Sequence, residues 1–447
     1  MNNLDELVNT LATQIYENQI EKKKWKPGED WVSYSGDYFT KDEYLAALKA
    51  VADGWLVFGK KSHQFENEFP PQLGKQKGIL TNSGSSANLL MFAALKSKNL
   101  YNLPVGTKVI TPAVCFPTTL NPIIQHGFEP VFVDVTLPDL NLDLDEVEKV
   151  LENDTKREIK VIIFAHVLGN PPNMDRVMKI VEKYDLIFLE DACDALGSTY
   201  DGKNLGSFGE MSSCSFYPAH HMTLGEGGFI ATNKAKNHKV LSSLRDWGRA
   251  CYCNTRAPGC AVEKTACGNR FRNWLPIVED VIYDHRYVYS EIGYNLRPLE
   301  MQGAIGLEQI KKLPMLHQAR KDNFNQLLNI FKKYEKYFYL PRATERSDPS
   351  WFAFLLTVRL DAPFKRQDII HHLESAKIQT RTYFAGNILF HPGYSTIADQ
   401  YDNILEKFPN SNLVTSNSFF LGTFAGIDKA KIDYIGTAVD DFFQGLK

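Results

Sequence analysis

Apolar residues recur at helical spacing at the start of the chain, at Leu4, Leu7, Leu11, Ile15 and Ile20, and predict an amphipathic helix up to about Lys24. An irregular stretch containing Pro27 and Gly28 follows, and a second helical pattern runs from Asp42 to Ala52. The period then changes. Short apolar runs at Gly78–Thr81, Lys108–Thr111, Pro130–Val135, Val161–Phe164, Leu186–Leu189 and Gly228–Thr232 alternate with helical segments. Most runs are continuous rather than alternating, as in strands covered on both faces. Strand–helix alternation over this length predicts an α/β domain with a largely parallel sheet. After Asn295 two long helical stretches, Arg297–Lys312 and Leu316–Lys336, are expected to break at Leu313-Pro314. A strand at Trp351–Val358, a helix at Arg366–Ala376 and a closing helix at Ile432–Gln444 complete a smaller α+β module. The expected organisation is an N-terminal arm over 1–36, a large domain over 37–312 and a small domain over 313–447.

Composition narrows the function. With 447 residues, 44% hydrophobic and 23% charged, the chain has globular proportions. Fifty basic against 53 acidic residues leave a net charge of -3, which argues against nucleic acid as a partner. No apolar run approaches the ~20 residues of a membrane helix. The first residues lack the apolar core of a signal peptide. Seven cysteines, an odd number, suit a reducing cytoplasm, yet Cys251, Cys253, Cys260 and Cys267 crowd into seventeen residues.

Ligands of parallel sheets gather at the carboxyl ends of the strands. There the first strand runs into Asn82-Ser83-Gly84-Ser85-Ser86-Ala87-Asn88 and a helix, a turn suited to a phosphate but also common as a plain turn. The second leads to Phe116, which could cover a flat heterocycle or simply pack in the core. The strand Leu186–Leu189 ends in Glu190-Asp191-Ala192-Cys193-Asp194, where Asp191 could hold a pyridinium N–H or cap a helix.

Those three segments, followed by Ser213-Cys214-Ser215-Phe216-Tyr217-Pro218-Ala219-His220-His221, resemble the DegT/DnrJ/EryC1/StrS family of vitamin B6-dependent sugar aminotransferases. The motifs Tyr34-Ser35-Gly36, His166-Val167-Leu168-Gly169-Asn170-Pro171 and Gly293-Tyr294-Asn295-Leu296-Arg297 extend the resemblance along nearly the whole chain. It implies the aspartate aminotransferase-like fold, in which the large domain binds the cofactor. It also implies phosphate contacts from Gly84, Ser85, Ser86 and Ser215, with Asn295 added by a second subunit of a homodimer. Phe116 would stack on the ring and Asp191 would pair with its nitrogen. Asp194 stands where relatives carry Gln or His near the ring hydroxyl.

One departure decides the chemistry. His220 occupies the position of the family's cofactor-bonding lysine, and imidazole cannot hold the aldehyde covalently. The cofactor is therefore expected as pyridoxamine 5′-phosphate, with His220 as the proton-transfer base. A branch with this exchange, the CDP-4-keto-6-deoxyglucose 3-dehydrases, also uses a 2Fe–2S cluster and a flavin and iron–sulfur reductase. The GDP-4-keto-6-deoxymannose 3-dehydratases share the histidine without the cluster. By resemblance to the first branch, Cys193, Cys251 and Cys253 are cluster ligands, with 57 residues between Cys193 and Cys251. For the fourth ligand the stretch Cys267-Gly268-Asn269-Arg270-Phe271 favours Cys267, although Cys260, in Pro258-Gly259-Cys260, is the alternative. Taken without the resemblance, such a cysteine group is structural zinc more often than iron–sulfur. The expected substrate is a nucleotide-linked 4-keto-6-deoxy sugar, here preferred as CDP-linked, on the route to dideoxysugars of lipopolysaccharide O-antigen.

Overall fold

The computed structural model describes residues 3–22, 24–251, 270–278 and 280–446. Its helices are α1 (Asn3–Lys22), α2 (Lys41–Ala52), α3 (Lys60–Glu68), α4 (Gly84–Lys96), α5 (Pro117–Gln125), α6 (Leu144–Asn153), α7 (Met174–Tyr184), α8 (Ala235–Arg245), α9 (Glu300–Lys332), α10 (Arg366–Ser375), α11 (Pro409–Asn417) and α12 (Lys429–Gly445). The large sheet contains β1 (Lys77–Thr81), β2 (Lys108–Pro112), β3 (Glu129–Val133), β4 (Ile159–Ala165), β5 (Ile187–Asp191), β6 (Met211–Ser215) and β7 (Gly228–Thr232). The small sheet contains β8 (Phe338–Tyr339), β9 (Ala353–Val358), β10 (Arg381–Thr382) and β11 (Ser418–Gly422).

The large sheet has the order β1-β7-β6-β5-β4-β2-β3. Strands β2 to β6 pair in parallel, and β7 runs antiparallel between β1 and β6. Both faces are covered, so β1, β2 and β5 each show four consecutive buried residues instead of alternation. The small sheet is antiparallel in the order β8-β9-β11-β10 and shares a core with α9, α10 and α12 through Phe331, Phe354, Leu373 and Phe442.

Two elements differ from expectation. The predicted break at Leu313-Pro314 is absent, and α9 runs through Pro314 as one 33-residue helix. An internal proline costs about 3 kcal/mol. Leu313 and Leu316 are buried on either side of it, and packing of that face outweighs the lost backbone bond. Strand β6 was not anticipated, because Met-Ser-Ser-Cys-Ser offers no apolar run. All five residues are nevertheless buried at the centre of the sheet, where neighbouring strands fix the backbone.

Candidate active site

A cavity of about 490 Å³ opens where the carboxyl ends of β5 and β6 meet the first turn of α4 and the edge of the small sheet. Asp191 closes its floor. The carboxylate is buried and accepts from Asn88 Nδ2 (2.9 Å), Thr119 Oγ1 (2.8 Å) and the Cys193 amide (3.1 Å). A carboxylate has about four acceptor positions, so one remains for a donor in the cavity. Directly behind it, Glu190 accepts from His166 Nε2 (2.9 Å) and from the amides of Phe208 (2.9 Å) and Gly209 (2.8 Å). Burial pushes the Glu190 carboxyl up, but these bonds outweigh burial and hold it below its ordinary range. The end of β5 is thereby locked from below.

Helix α4 starts at a tight crossing. A Cβ on Gly84 would stand 2.5 Å from Ser215 Cβ, so glycine is required for the turn to lie against β6. Ser83 caps the helix, its Oγ accepting from the Ser86 amide at 3.1 Å while its carbonyl accepts from Ala87. The amides of Gly84 and Ser85 thus remain without an acceptor among the described residues, at the positive end of a 13-residue helix. Gly84, Ser85 and Ser215 line the cavity, whereas Ser86 is engaged in the cap and does not. Phe116, at the N-cap of α5, is half exposed and meets Phe384 edge-on at 5.6 Å across the opening.

Of the two adjacent histidines, only His220 lines this cavity. Its Nδ1 lies 3.3 Å from Asp194 Oδ1, within ion-pair reach but off the line of a hydrogen bond. Burial raises the Asp194 carboxyl above its ordinary range despite the opposing pull of His220. His221 turns the other way, Nε2 meeting Ser350 Oγ at 2.8 Å. Burial, with Arg320 and His317 close by, keeps His221 neutral, well below its ordinary pKa. Arg320 of α9 holds the loop from behind, donating to the carbonyls of His220 (2.8 Å), Ala219 (3.2 Å) and Phe352 (2.9 Å). Burial pushes its pKa down to about 10, against the field of Asp194.

Cys193 stands beside Asp191 in the cavity wall, with Sγ 3.9 Å from Ser213 Oγ. Burial and the neighbouring carboxylate push its thiol pKa well up. Cys251 is half-buried, next to Ala250, whose amide donates to Val288. Cys253, Cys260 and Cys267 lie outside the described residues, and among the described residues no three His, Cys, Asp or Glu side chains converge as a metal site. Asn295 is exposed, pairs with Asp246 and does not line its own chain's cavity.

The cradle at Gly84, the spare acceptor on Asp191 and the buried, partnerless Asn88 Oδ1 fit a flat, phosphorylated pyridine. Several lining residues had no assigned role in the sequence. Asn88 sits within a quoted motif and Thr119 three residues after Phe116, and such short polar side chains after strand ends were a usable signal. Phe352, Arg381, Phe384 and Phe420, on the small-sheet side, had none, and neither did Arg320 behind the wall.

The mostly parallel sheet, with a small-residue turn opening α4 and a buried aspartate at the end of β5, is that of an aminotransferase-like enzyme of the pyridoxal phosphate-dependent class. The chain belongs to the DegT/DnrJ/EryC1/StrS aminotransferase family, whose pattern matches residues 38–440. It is 38% identical over 444 residues to the lipopolysaccharide biosynthesis protein RfbH of Salmonella typhimurium, covering 99% of this chain and 98% of that relative. It is 38% identical over 433 residues to the dTDP-4-dehydro-2,6-dideoxy-D-glucose 3-dehydratase of Saccharopolyspora spinosa, covering 96% and 90%. Among solved structures, the GDP-4-keto-6-deoxy-D-mannose-3-dehydratase of E. coli with bound hydrated PLP superposes with a TM-score of 0.77 at 30% identity, over 91% of this chain and 99% of that one. No helix among the described residues is long and apolar enough to cross a membrane.

Proposed function

We propose that this chain is a nucleotide-sugar 3-dehydrase that works with pyridoxamine 5′-phosphate and removes the C3 hydroxyl of a 4-keto-6-deoxy sugar. The observation that carries the reading is the composition of the cavity wall: His220 stands there, and among the described residues no lysine does. When bound, the cofactor supplies an amine for the substrate's keto group and a ring that accepts electrons. Gly84, Ser85 and Ser215 would hold its phosphate, Phe116 would cover the ring and Asp191 would accept the pyridinium N–H. Asp194 faces His220 Nδ1, so Nε2 is left to take and return a proton in the cavity. Asn295 of a second subunit would complete the phosphate site, which makes a homodimer the working unit in this reading.

The finer reading adds a 2Fe–2S cluster on Cys193, Cys251, Cys253 and Cys267, and its support is the cysteine spacing and the family branch that shares it. Such a cluster supplies one-electron transfer from a separate flavin and iron–sulfur reductase. The preferred substrate is CDP-linked, on the same branch resemblance. A second reading, a dehydratase without a cluster, is favoured by the similarity to the GDP-4-keto-6-deoxy-D-mannose-3-dehydratase.

Anaerobic turnover with CDP-, GDP- and dTDP-linked 4-keto-6-deoxy sugars, with iron analysis of the same sample, separates the two. Iron-loaded protein that deoxygenates the CDP sugar only with a reductase supports the first. Iron-free protein with full activity and no reductase supports the second, and absence of solvent-proton exchange at the cofactor methylene would sink both.

A further inference from the structure

The cavity is polarised. Its floor carries two buried carboxylates, Asp191 and Asp194, whereas its open side carries Arg381, the first residue of β10, exposed on the small-domain wall. Both carboxylates have partners in the protein, Asp191 in Asn88 and Thr119 and Asp194 in His220. Arg381 has no carboxylate within ion-pair distance among the described residues, and its one recorded hydrogen bond runs from Nη1 to its neighbour Thr380 O (2.6 Å). Four of its five N–H donors are therefore available to a ligand.

The guanidinium is nonetheless held in place. It lies over the Tyr34 ring, 4.3 Å from the centroid, and Tyr34 also lines the cavity. The main chain around Tyr34 is attached to the segment that leads into Arg381. Val32 N donates to Lys377 O (2.7 Å), Gln379 N donates to Val32 O (3.0 Å), and the Tyr34 amide donates to Gln379 Oε1 (3.3 Å). Tyr34 carbonyl oxygen lies against Gly422 of β11, where a Cβ would come within 2.1 Å. This accounts for the Tyr34-Ser35-Gly36 motif, which no step of the proposed chemistry uses. An arginine stacked on an aromatic ring presents its planar edge outward, the geometry that phosphate oxygens accept in pairs.

We propose that Arg381, seated on Tyr34, binds the diphosphate of the substrate and so sets its orientation. This inference rests on the reading of the substrate as a nucleoside diphosphate sugar. A diphosphate is repelled by the carboxylates at the floor and attracted by the unpaired cation at the mouth. The uncharged keto sugar is then the end that enters toward His220 and Asp194. The cofactor's own phosphate belongs to the opposite wall, at Gly84 and Ser215.

The test is titration calorimetry of the pyridoxamine phosphate-loaded enzyme with CDP, GDP and dTDP, comparing wild type with Arg381→Met, Arg381→Lys, Tyr34→Ala and Tyr34→Phe. Arg381→Met should weaken the diphosphate that wild type binds best by at least ~10-fold, the size of a lost charge-assisted pair of hydrogen bonds. Arg381→Lys should fall between, Tyr34→Ala should weaken binding less than Arg381→Met, and Tyr34→Phe should match wild type. Cofactor affinity should be unchanged in all four. The proposal is overturned if Arg381→Met binds within twofold of wild type, if it loosens the cofactor in place of the nucleotide, or if wild type binds none of the three. Loss of exchange in wild type, with diphosphate binding intact, would instead overturn the role of His220 and leave Arg381 standing.

Discussion

The two walls of the cavity are built by opposite means. On the large-sheet side the carboxylates and the His220 main chain are tied into the protein: Asp191 by three donors, Glu190 beneath it by His166 and backbone amides, and the His220 carbonyl by Arg320. On the small-sheet side the lining is aromatic, with Phe352, Phe384 and Phe420, and its one arginine rests on a ring. In the proposed reading the difference separates reaction from recognition. Groups that move protons or stabilise charge must be fixed before the substrate arrives. A wall that receives a large ligand needs area and a few unspent donors.

The comparison is broken most severely at His220. His220→Asn keeps a similar volume but has no basic nitrogen, so solvent-proton exchange at the cofactor methylene should fall ~100 to 10,000-fold while pyridoxamine phosphate still binds. Exchange at the wild-type rate would remove His220 from the chemistry. Asp191→Asn comes next. The amide retains a hydrogen bond to the ring nitrogen but cannot stabilise its proton, and the exchange rate should drop ~100-fold or more, comparable to losing one preorganised charge-stabilising contact. Retention of full rate and cofactor affinity would show that the ring nitrogen is held elsewhere.

Arg320 sharpens the comparison from behind the wall. It does not line the cavity and acts through the backbone carbonyls of residues that do, so it is a positioning residue. Arg320→Met leaves the Ala219 and His220 carbonyls without a donor, whereas the Phe352 carbonyl keeps Thr423 Oγ1 (3.0 Å). Each buried unpaired carbonyl costs about 1–3 kcal/mol, so the melting temperature should fall substantially. Arg320→Lys retains the charge but cannot reach three acceptors in one plane. It should fold, bind the cofactor and exchange the methylene proton ~10-fold more slowly, with KM for the sugar little changed, a modest fraction of a general base's contribution. Equal exchange rates in Arg320→Lys and wild type would reduce Arg320 to a purely structural role.

How much of this was legible in the chain follows the same division. Much of the large-sheet wall is made of short segments at the ends of apolar strands, so Gly84, Ser85 and Asp191 could be found by reading past each strand end, whereas Ser215, at the end of the polar β6, followed only from the family resemblance. His220 followed from the motif around it. The structure adds which of two adjacent histidines faces the cavity, a matter of backbone direction in the turn between β6 and β7 that no spacing rule conveys. The small-domain wall was not legible. Arg381 and Tyr34 are 347 positions apart in the chain and meet only because residues 32–34 pair with residues 377–379. Pro314 misled for the converse reason: a local rule for helix breaking was overridden by burial on both sides.

The smallest expected effect lies in the acid stability of the large-sheet wall. His317 packs against Gly197, where a Cβ would stand 2.1 Å from its Cε1, and its Nε2 is buried without a partner. Burial, then Arg320 and Lys321, push its pKa down to about 4. A histidine whose folded pKa lies below its unfolded value near 6.5 stabilises the fold fully above pH 6.5, where both states are neutral. As pH falls from 6.5 toward 4 the unfolded chain takes up a proton that the folded one does not. Stability is then lost at up to about 1.4 kcal/mol per pH unit for that histidine. His221, also depressed, adds its own loss as pH falls below 6.5. His317→Asn should therefore show a shallower fall in urea midpoint between pH 6.5 and 4.5 than wild type, even if its midpoint at pH 7.5 is lower through lost packing. The slope, not the absolute stability, is the readout. Parallel profiles for the two proteins would mean that His317 protonates in the fold as easily as in water, and that the tissue of cations and neutral histidines behind His220 is wetter than its burial implies.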